Sequence, residues 1–374
     1  MDAKYTDEEL AQIALATAPG MNPVRYDAIL SAFEDALSAV RSAQEQENAF
    51  GFLGKYACGI RTHLRDRTQF LTFLRKLKTL GIRCVTRVSA QYPPNLRGID
   101  QEPVLLYAAG HAAVSYERSI SVVGTRHGTR YGQEVTDLLV SELAKSGVTI
   151  VSGLAIGLDA RAHAAALASG GQTVAVVAGG VDCGMPSDNR ALAAQIAENG
   201  VIFSEYPPGT PVRPWMYAPR NRIVSGLTQG TLVVQARKKS GVMLTVDHAQ
   251  EQGRSVFAVP GQITDPASYW PNRLIQQGAI PVLETRDILD EFGWSANAQP
   301  AVSERRTLDL SDFAPPQRMI LLALGQGPMS QEALCAATNL SGQTLMAHLT
   351  SLEMEGIIEQ FPGRMVQLCR QYRA

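Results

Sequence analysis

The chain has 374 residues, 45% of them apolar, and a formal net charge of -1. That length exceeds one ordinary domain and points to two or three, with enough apolar residues for a buried core. Near-neutral charge excludes a globally basic mode of polyanion binding, so any nucleic-acid site must be a local collection of Lys and Arg. The five cysteines, Cys58, Cys84, Cys183, Cys335 and Cys369, are odd in number, widely spaced and without a CxxC pair. This usage fits a reducing compartment and neither a disulfide framework nor a zinc site. The first ten residues, MDAKYTDEEL, are acidic and carry no apolar run, and no stretch approaches the roughly 18 apolar residues of a membrane span. A cytoplasmic protein with no membrane partner is expected.

From Asp7 to about Leu80 the apolar spacing is helical, broken by Ala18-Pro-Gly-Met-Asn-Pro23. Helices joined by such a turn make a helix-hairpin-helix or SAM-like unit over 1–81, which packs against DNA or against a neighbour; the turn itself holds no Lys or Arg. A basic stretch, Arg61 to Arg67 and Arg75 to Lys78, reads as a solvated helix face. Residues 82–110 switch to short extended runs and Pro turns. A β-branched run then stops at Gly124, a helix follows from about Tyr131 to Lys145, and Val148 to Val151 repeats the strand before Ser152-Gly153. Strand and helix alternate onward at 20 to 30 residue spacing to Ile280–Leu283, with helices near 189–198, 221–227, 244–252 and 273–277. Such alternation predicts an α/β fold with a mainly parallel, doubly wound sheet over 82–294. Its strands are continuous apolar runs, as strands covered on both faces should be. Residues 295–312 read as a linker. From 313 to 374, three short helical patterns precede an extended pair around Phe361-Pro-Gly-Arg364, a winged-helix-like order.

The first two strand ends lead through Gly124, Gly153 and Gly157 into helices, where backbone N–H groups and helix N-termini stabilise anions. These glycines either admit a phosphate or only tighten the turns; Arg126 and Arg130 add charge that a neutral ligand would not need. Between Tyr206 and Val246 lie Arg213, Arg220, Arg222, Arg237, Lys238 and Lys239, with no Asp or Glu. The same segments bring Tyr206, Trp215 and Tyr217, and Tyr131 follows the first strand. Cations interleaved with rings suit single-stranded nucleic acid, whose bases stack while its phosphates are neutralised. Each ring alone serves a core or a loop equally well.

Signs of catalysis are sparse. The six histidines form no HExxH pair or ligand cluster, Ser152 lacks a GxSxG elbow, and G-x-G-x-x-G follows neither of the first two strands. Asp159 is expected to cap the helix it opens. Asp182 and Asp188 either meet a ribose hydroxyl or close their loop.

Several phrases occur together: Val123-Gly-Thr-Arg126, Ser152-Gly-Leu-Ala-Ile-Gly-Leu-Asp159, Ser204-Glu-Tyr-Pro-Pro-Gly-Thr210, Arg220-Asn-Arg-Ile-Val-Ser-Gly226 and Val256-Phe-Ala-Val-Pro-Gly261. In this order and spacing they resemble the DNA-processing protein A family (DprA/Smf), as do Tyr92-Pro-Pro94 and Pro103 to Tyr107. The resemblance covers nearly the whole chain and implies an extended Rossmann-like domain between a helical N-terminal domain and a winged-helix-like C-terminal domain. It implies a non-enzymatic protein that binds single-stranded DNA and hands it to the RecA recombinase, displacing or accommodating single-strand-binding protein, in natural transformation and recombination. It further implies a homodimer and no cofactor.

On that resemblance Gly124, Thr125, Arg126 and Thr129 hold phosphate, Tyr131 stacks, Gly153 admits the strand, and Arg220, Arg222, Arg237 and Lys239 track the backbone, with Asn221 available to brace the loop. The sequence departs from the family pattern at Gln235, usually acidic, at Ser240 to Thr245, at Met185-Pro186 and at Trp270-Pro-Asn272. The competing expectation is a nucleotide-handling enzyme such as a phosphoribohydrolase, whose Pro-Gly-Gly-x-Gly-Thr-x-x-Glu motif is absent: Gly179-Gly180 is followed by Val181-Asp182. A third is a scaffold whose cations bind an acidic protein. In the C-terminal segment Arg364, Arg370 and Arg373 face Glu332, Glu353, Glu355 and Glu359, a balance that favours protein contact over duplex reading.

Overall fold

The computed structural model describes residues 5–110, 114–294, 313–325, 327, 329–355, 357–361 and 365–368. The expected linker over 295–312, Cys369, and the cations Arg364, Arg370 and Arg373 lie outside the described residues. Two compact units divide the chain, Met1–Asn297 and Ala298–Ala374.

The first unit opens with five helices: α1 (Asp7–Ala16), α2 (Pro23–Ala32), α3 (Ala36–Glu45), α4 (Ala57–Arg65) and α5 (Arg67–Thr79). Their starts follow from local chemistry. Thr6 and Glu9 form a capping box at α1, and Asn22 and Asp35 accept the first free amides of α2 and α3. Strands β1 (Ile82–Thr86) and β2 (Leu105–Gly110) come next, then β3 (Ser119–Val123), α6 (Arg130–Lys145), β4 (Thr149–Ser152), α7 (Leu158–Ala168) and β5 (Thr173–Val176). The alternation continues with α8 (Arg190–Asn199), β6 (Val201–Ser204), α9 (Tyr217–Gly226), β7 (Gly230–Val233), α10 (Val242–Glu251), β8 (Ser255–Ala258), α11 (Tyr269–Gln276), β9 (Ile280–Pro281) and α12 (Thr285–Glu291).

These nine strands form one sheet in the order β1-β2-β6-β5-β4-β3-β7-β8-β9. From β6 to β9 every pairing is parallel, with Ile120 opposite Ile150 in β4 and Val123 opposite Val233 in β7. The Pro-rich stretch before the repeat adds β1 and β2 antiparallel at the β6 edge. The sheet is doubly wound. Ile120, Val122, Leu232 and Phe257 share a core with α6, α7 and α12, whereas Val123, Val151 and Val233 share another with Ile223 of α9, Val246 of α10 and Leu274 of α11. Strand β3 is buried at every position, the reason its sequence does not alternate. The helical N-terminus joins the sheet through a common core: Ile13 and Leu77 pack with Leu105, Tyr107 and Ile202.

Winding reverses at β3. The chain steps from β3 through β4 and β5 to β6 on one side, then crosses to β7 on the other, and the crevice at the carboxyl ends of β3 and β7 is where ligands of open α/β sheets bind.

The second unit contains α13 (Pro315–Leu324), β10 (Met329–Ser330), α14 (Gln331–Thr338), α15 (Gly342–Met354), β11 (Ile358–Phe361) and β12 (Met365–Leu368), the strands ordered β10-β12-β11. Three helices and a three-stranded antiparallel sheet around Ile320, Leu324, Leu334, Leu349 and Val366 form a winged helix.

Candidate nucleic-acid interface

A cleft of about 430 Å³ opens at that crevice, lined by the loop after β3, the loop after β4, one face of α9 and the start of α10. Helix α9 contributes Tyr217, Arg220, Asn221 and Val224, spaced i, i+3, i+4 and i+7, so one stripe of the helix forms a wall. Arg126 and His127 come from the β3 loop, Arg237 and Lys239 from the β7 loop, and Ser240 to Val242 from the N-terminal end of α10.

The cations divide by burial. Arg126, Arg237 and Lys239 are exposed, and none makes an ion pair among the described residues. Arg220 is 6% exposed; its guanidinium donates to the carbonyls of Gly153 and Val176 and to Asn221 Oδ1 at 3.1 Å. Glycine at 153 makes room for that guanidinium, which a Cβ there would displace. Burial pulls the Arg220 guanidinium below its ordinary value, against the pull of Asp159. The guanidinium carbons of Arg126 and Arg220 lie 5.4 and 5.8 Å from the centroid of Tyr217, so the wall ring is flanked by two cations.

Asp159 lies on the cleft floor, 8% exposed. Its Oδ1 accepts the Gly124 amide at 3.4 Å. Burial raises its pKa above the usual carboxylate range, while Arg220 and the amides of Gly124, Ala155 and Gly153 pull it down. One turn along α7, His163 is fully buried, its Nδ1 2.6 Å from Thr173 Oγ1 and its Nε2 without a partner; burial pushes it down to about 3. Gly157, at φ +96°, lets the β4 loop pass the β3 loop: a Cβ there would lie 2.5 Å from the carbonyl oxygens of Thr125 and Arg126.

Sequence comparison identifies the chain at this point. A family model described as DNA recombination-mediator protein A matches residues 83–293, and one described as the DprA winged helix domain matches residues 299–364. The chain belongs to the DprA/Smf family. Among curated DprA/Smf proteins, Protein Smf of Escherichia coli K12 is 35% identical over 318 residues, 82% of this chain and 85% of that one. DNA processing protein DprA of Bacillus subtilis 168 is 43% identical over 213 residues, 57% and 72% of the two chains. The solved DprA of Streptococcus pneumoniae aligns with a TM-score of 0.65 at 29% identity, covering 77% of this chain and 99% of that one. A structure concerned with the unique single-stranded DNA binding mode of the Helicobacter pylori DprA aligns with a TM-score of 0.52 at 27% identity, covering 57% and 96%.

Of the residues carried over from the DprA/Smf pattern, the cleft brings together Gly124, Thr125, Arg126, Gly153, Arg220, Asn221, Arg237 and Lys239. Three lie elsewhere. Arg222 points off the cleft wall, 6% exposed, and forms a two-pronged ion pair with Glu205 at 2.7 Å per contact while also bonding the Gln101 carbonyl. Burial pulls its pKa down and the Glu205 carboxylate outweighs that, so Arg222 is held as a buried, paired cation away from the cleft. Thr129 caps α6: its hydroxyl accepts the Gly132 amide at 3.3 Å and the Gln235 side chain at 2.8 Å. Tyr131 donates to the Pro260 carbonyl at 2.7 Å and lines a separate cavity with Gly261, Gln262, Asp265 and Ser268.

The expected cradle of backbone amides is also corrected. The amide of Gly124 turns inward to Asp159, that of Thr125 to the Gln235 carbonyl at 2.8 Å, and that of Thr129 to Gln235 Oε1 at 3.0 Å. Side chains therefore supply the charge. Asp159 does not cap α7, whose N-cap Gly157 has no side-chain bond; it ties two loops together. Asp182 accepts the Gly209 amide at 2.9 Å and closes its loop.

Glu205 and Tyr217 were not among the residues carried over. Glu205 stands one position before the acid-free window that drew attention to Arg222. Tyr217 becomes visible once α9 begins at 217, four residues earlier than the spacing placed it, since the i, i+3, i+4, i+7 stripe then includes it.

Proposed function

We propose that the chain binds single-stranded DNA in this cleft, without base sequence preference, and delivers it to a RecA recombinase as a homodimer that displaces or accommodates single-strand-binding protein, with no catalytic step of its own. The observation that carries the reading is the set of exposed, unpaired cations Arg126, Arg237 and Lys239 around the flanked ring of Tyr217 at the switch-point crevice. Cations without carboxylate partners attract phosphates, and an aromatic ring set among them suits a base. The single-stranded DNA binding mode described for the H. pylori relative supports the same substrate. Ser152 supports binding over acyl transfer, because its buried hydroxyl donates to the Val122 carbonyl at 2.6 Å.

The exposed face of α15, with Gln343, Met346, Ala347, Thr350 and Glu353, carries no Lys or Arg, which supports a protein-contact role for the winged helix over duplex reading, which leans on cations. The test is fluorescence anisotropy of labelled dT20 with duplex and dTMP as competitors at two salt concentrations. Preferential, salt-sensitive binding of the strand is the expected result. Competition by dTMP better than by the strand would replace this reading with a nucleotide-handling enzyme.

A further inference from the structure

We propose that Trp215 is a second stacking platform, outside the cleft, that holds the next base of a single strand whose neighbour lies against Tyr217. The inference rests on the proposed single-strand binding. Trp215 is 60% exposed, against 9% for Trp294, and an indole standing in water beside a cation-lined cleft is a large apolar surface without a buried role. It occupies the 3-10 turn Pro214–Met216 that runs directly into α9, two residues before Tyr217, so the two Cα atoms are within about 7 Å.

An edge contact supports the indole ring. Tyr206 meets it at 79° with centroids 6.0 Å apart, an arrangement that fixes the indole and leaves a face uncovered. That support is itself braced: the Tyr206 amide donates to Ser204 Oγ at 2.9 Å, and Ser204, fully buried, donates to the Gly179 carbonyl at 2.6 Å. Loop 205–213 is further held by Gly180 N donating to the Thr210 carbonyl and by Asp182 accepting the Gly209 amide, each at 2.9 Å. Pro207, Pro208, Pro211 and Pro214 restrict its backbone, and the side chain of Met216, 4% exposed, anchors its end. An exposed ring on a pre-ordered loop loses little entropy on stacking. Arg213, exposed and unpaired among the described residues, stands two positions away to meet the phosphate that joins the two bases.

The test uses the full chain, wild type, Trp215→Ala and Trp215→Phe, with labelled dT20 anisotropy and intrinsic tryptophan emission read together. Expected are quenching of wild-type emission by unlabelled dT20, loss of that quenching in both variants, a roughly tenfold weaker dT20 affinity for Trp215→Ala, and near wild-type affinity for Trp215→Phe. Unchanged affinity in Trp215→Ala, or unquenched wild-type emission under saturating dT20, overturns the platform while leaving the cleft reading intact. Absence of dT20 binding by the wild type overturns both. Matching far-ultraviolet circular dichroism of the three proteins excludes unfolding as the cause of a loss.

Discussion

Truncating Arg126 to alanine removes one of three exposed cations that line the cleft, and among the described residues its guanidinium makes no hydrogen bond or ion pair, approaching the Tyr217 ring. For a single strand, each phosphate neutralised contributes about -0.7 to the slope of log K against log salt concentration. Arg126, Arg237 and Lys239 together give the cleft a slope of about -2.1, and the variant about -1.4. Between 50 and 200 mM salt this means an affinity loss of about 18-fold for the wild type and about 7-fold for Arg126→Ala. Anisotropy of labelled dT20 at four salt concentrations resolves the difference. Arg67→Ala, on the helix α5 outside the cleft, is the matched control and should leave the slope unchanged. A slope in Arg126→Ala equal to that of the wild type would refute the assignment of the cleft as the phosphate contact. So would equal losses in both variants.

Other consequences follow from the same geometry. Glu205→Gln leaves Arg222 buried and unpaired, and should destabilise the protein by about 3 kcal/mol in denaturant unfolding, the low end for a broken buried pair because the Glu205 side chain is 20% exposed. Gly157→Ala puts a side chain at positive φ against two carbonyls; a loss of about 1–3 kcal/mol by thermal unfolding is expected, together with weaker dT20 binding as the β3 loop shifts. His163 is neutral when folded and charges when unfolded, so the unfolded state binds more protons between pH 6.5 and about 3, and stability drops as the pH is lowered through that window, by up to about 1.4 kcal/mol per unit. Asp159, raised by burial, acts with the opposite sign, so comparing unfolding of wild type and His163→Leu at pH 4 to 7 isolates the histidine; a parallel pH dependence in the two would count against its burial.

The alternation of strand and helix was legible because each strand is a short apolar run covered on both faces, and the order of β3, β4, β5 and β6 follows from short crossovers. Which strands extend the sheet beyond β6 was not fixed by local signals: the placement of β1 and β2 there, antiparallel, depends on contacts distant in sequence. The exposed cations were legible as charge without acidic neighbours. Arg222 was misread because the window stopped at Tyr206 and left out Glu205, seventeen positions upstream, which the fold brings to 2.7 Å. Tyr131 falls outside the cleft for a geometric reason. It follows the β3 loop in sequence, but the first turn of α6 directs its hydroxyl to Pro260. The inward turn of the loop amides was not legible, because Asp159 and Gln235, which take them, reach the β3 loop only in three dimensions.

The carboxylate of Asp159 occupies, from inside, the position where a Rossmann-like edge usually offers its amides to a single phosphate. With Gly124 turned to Asp159, and Thr125 and Thr129 turned to Gln235, these amides are not offered to any one phosphate group. What is left is a spread of individually weak side-chain contacts, whose strength multiplies only when several are engaged by the same molecule. Free nucleotides, each bringing one phosphate cluster, gain none of that multiplication, and a polymer gains all of it. On the proposed reading the cleft would favour length: a strand that engages several of its cations at once outcompetes a nucleotide that meets one of them.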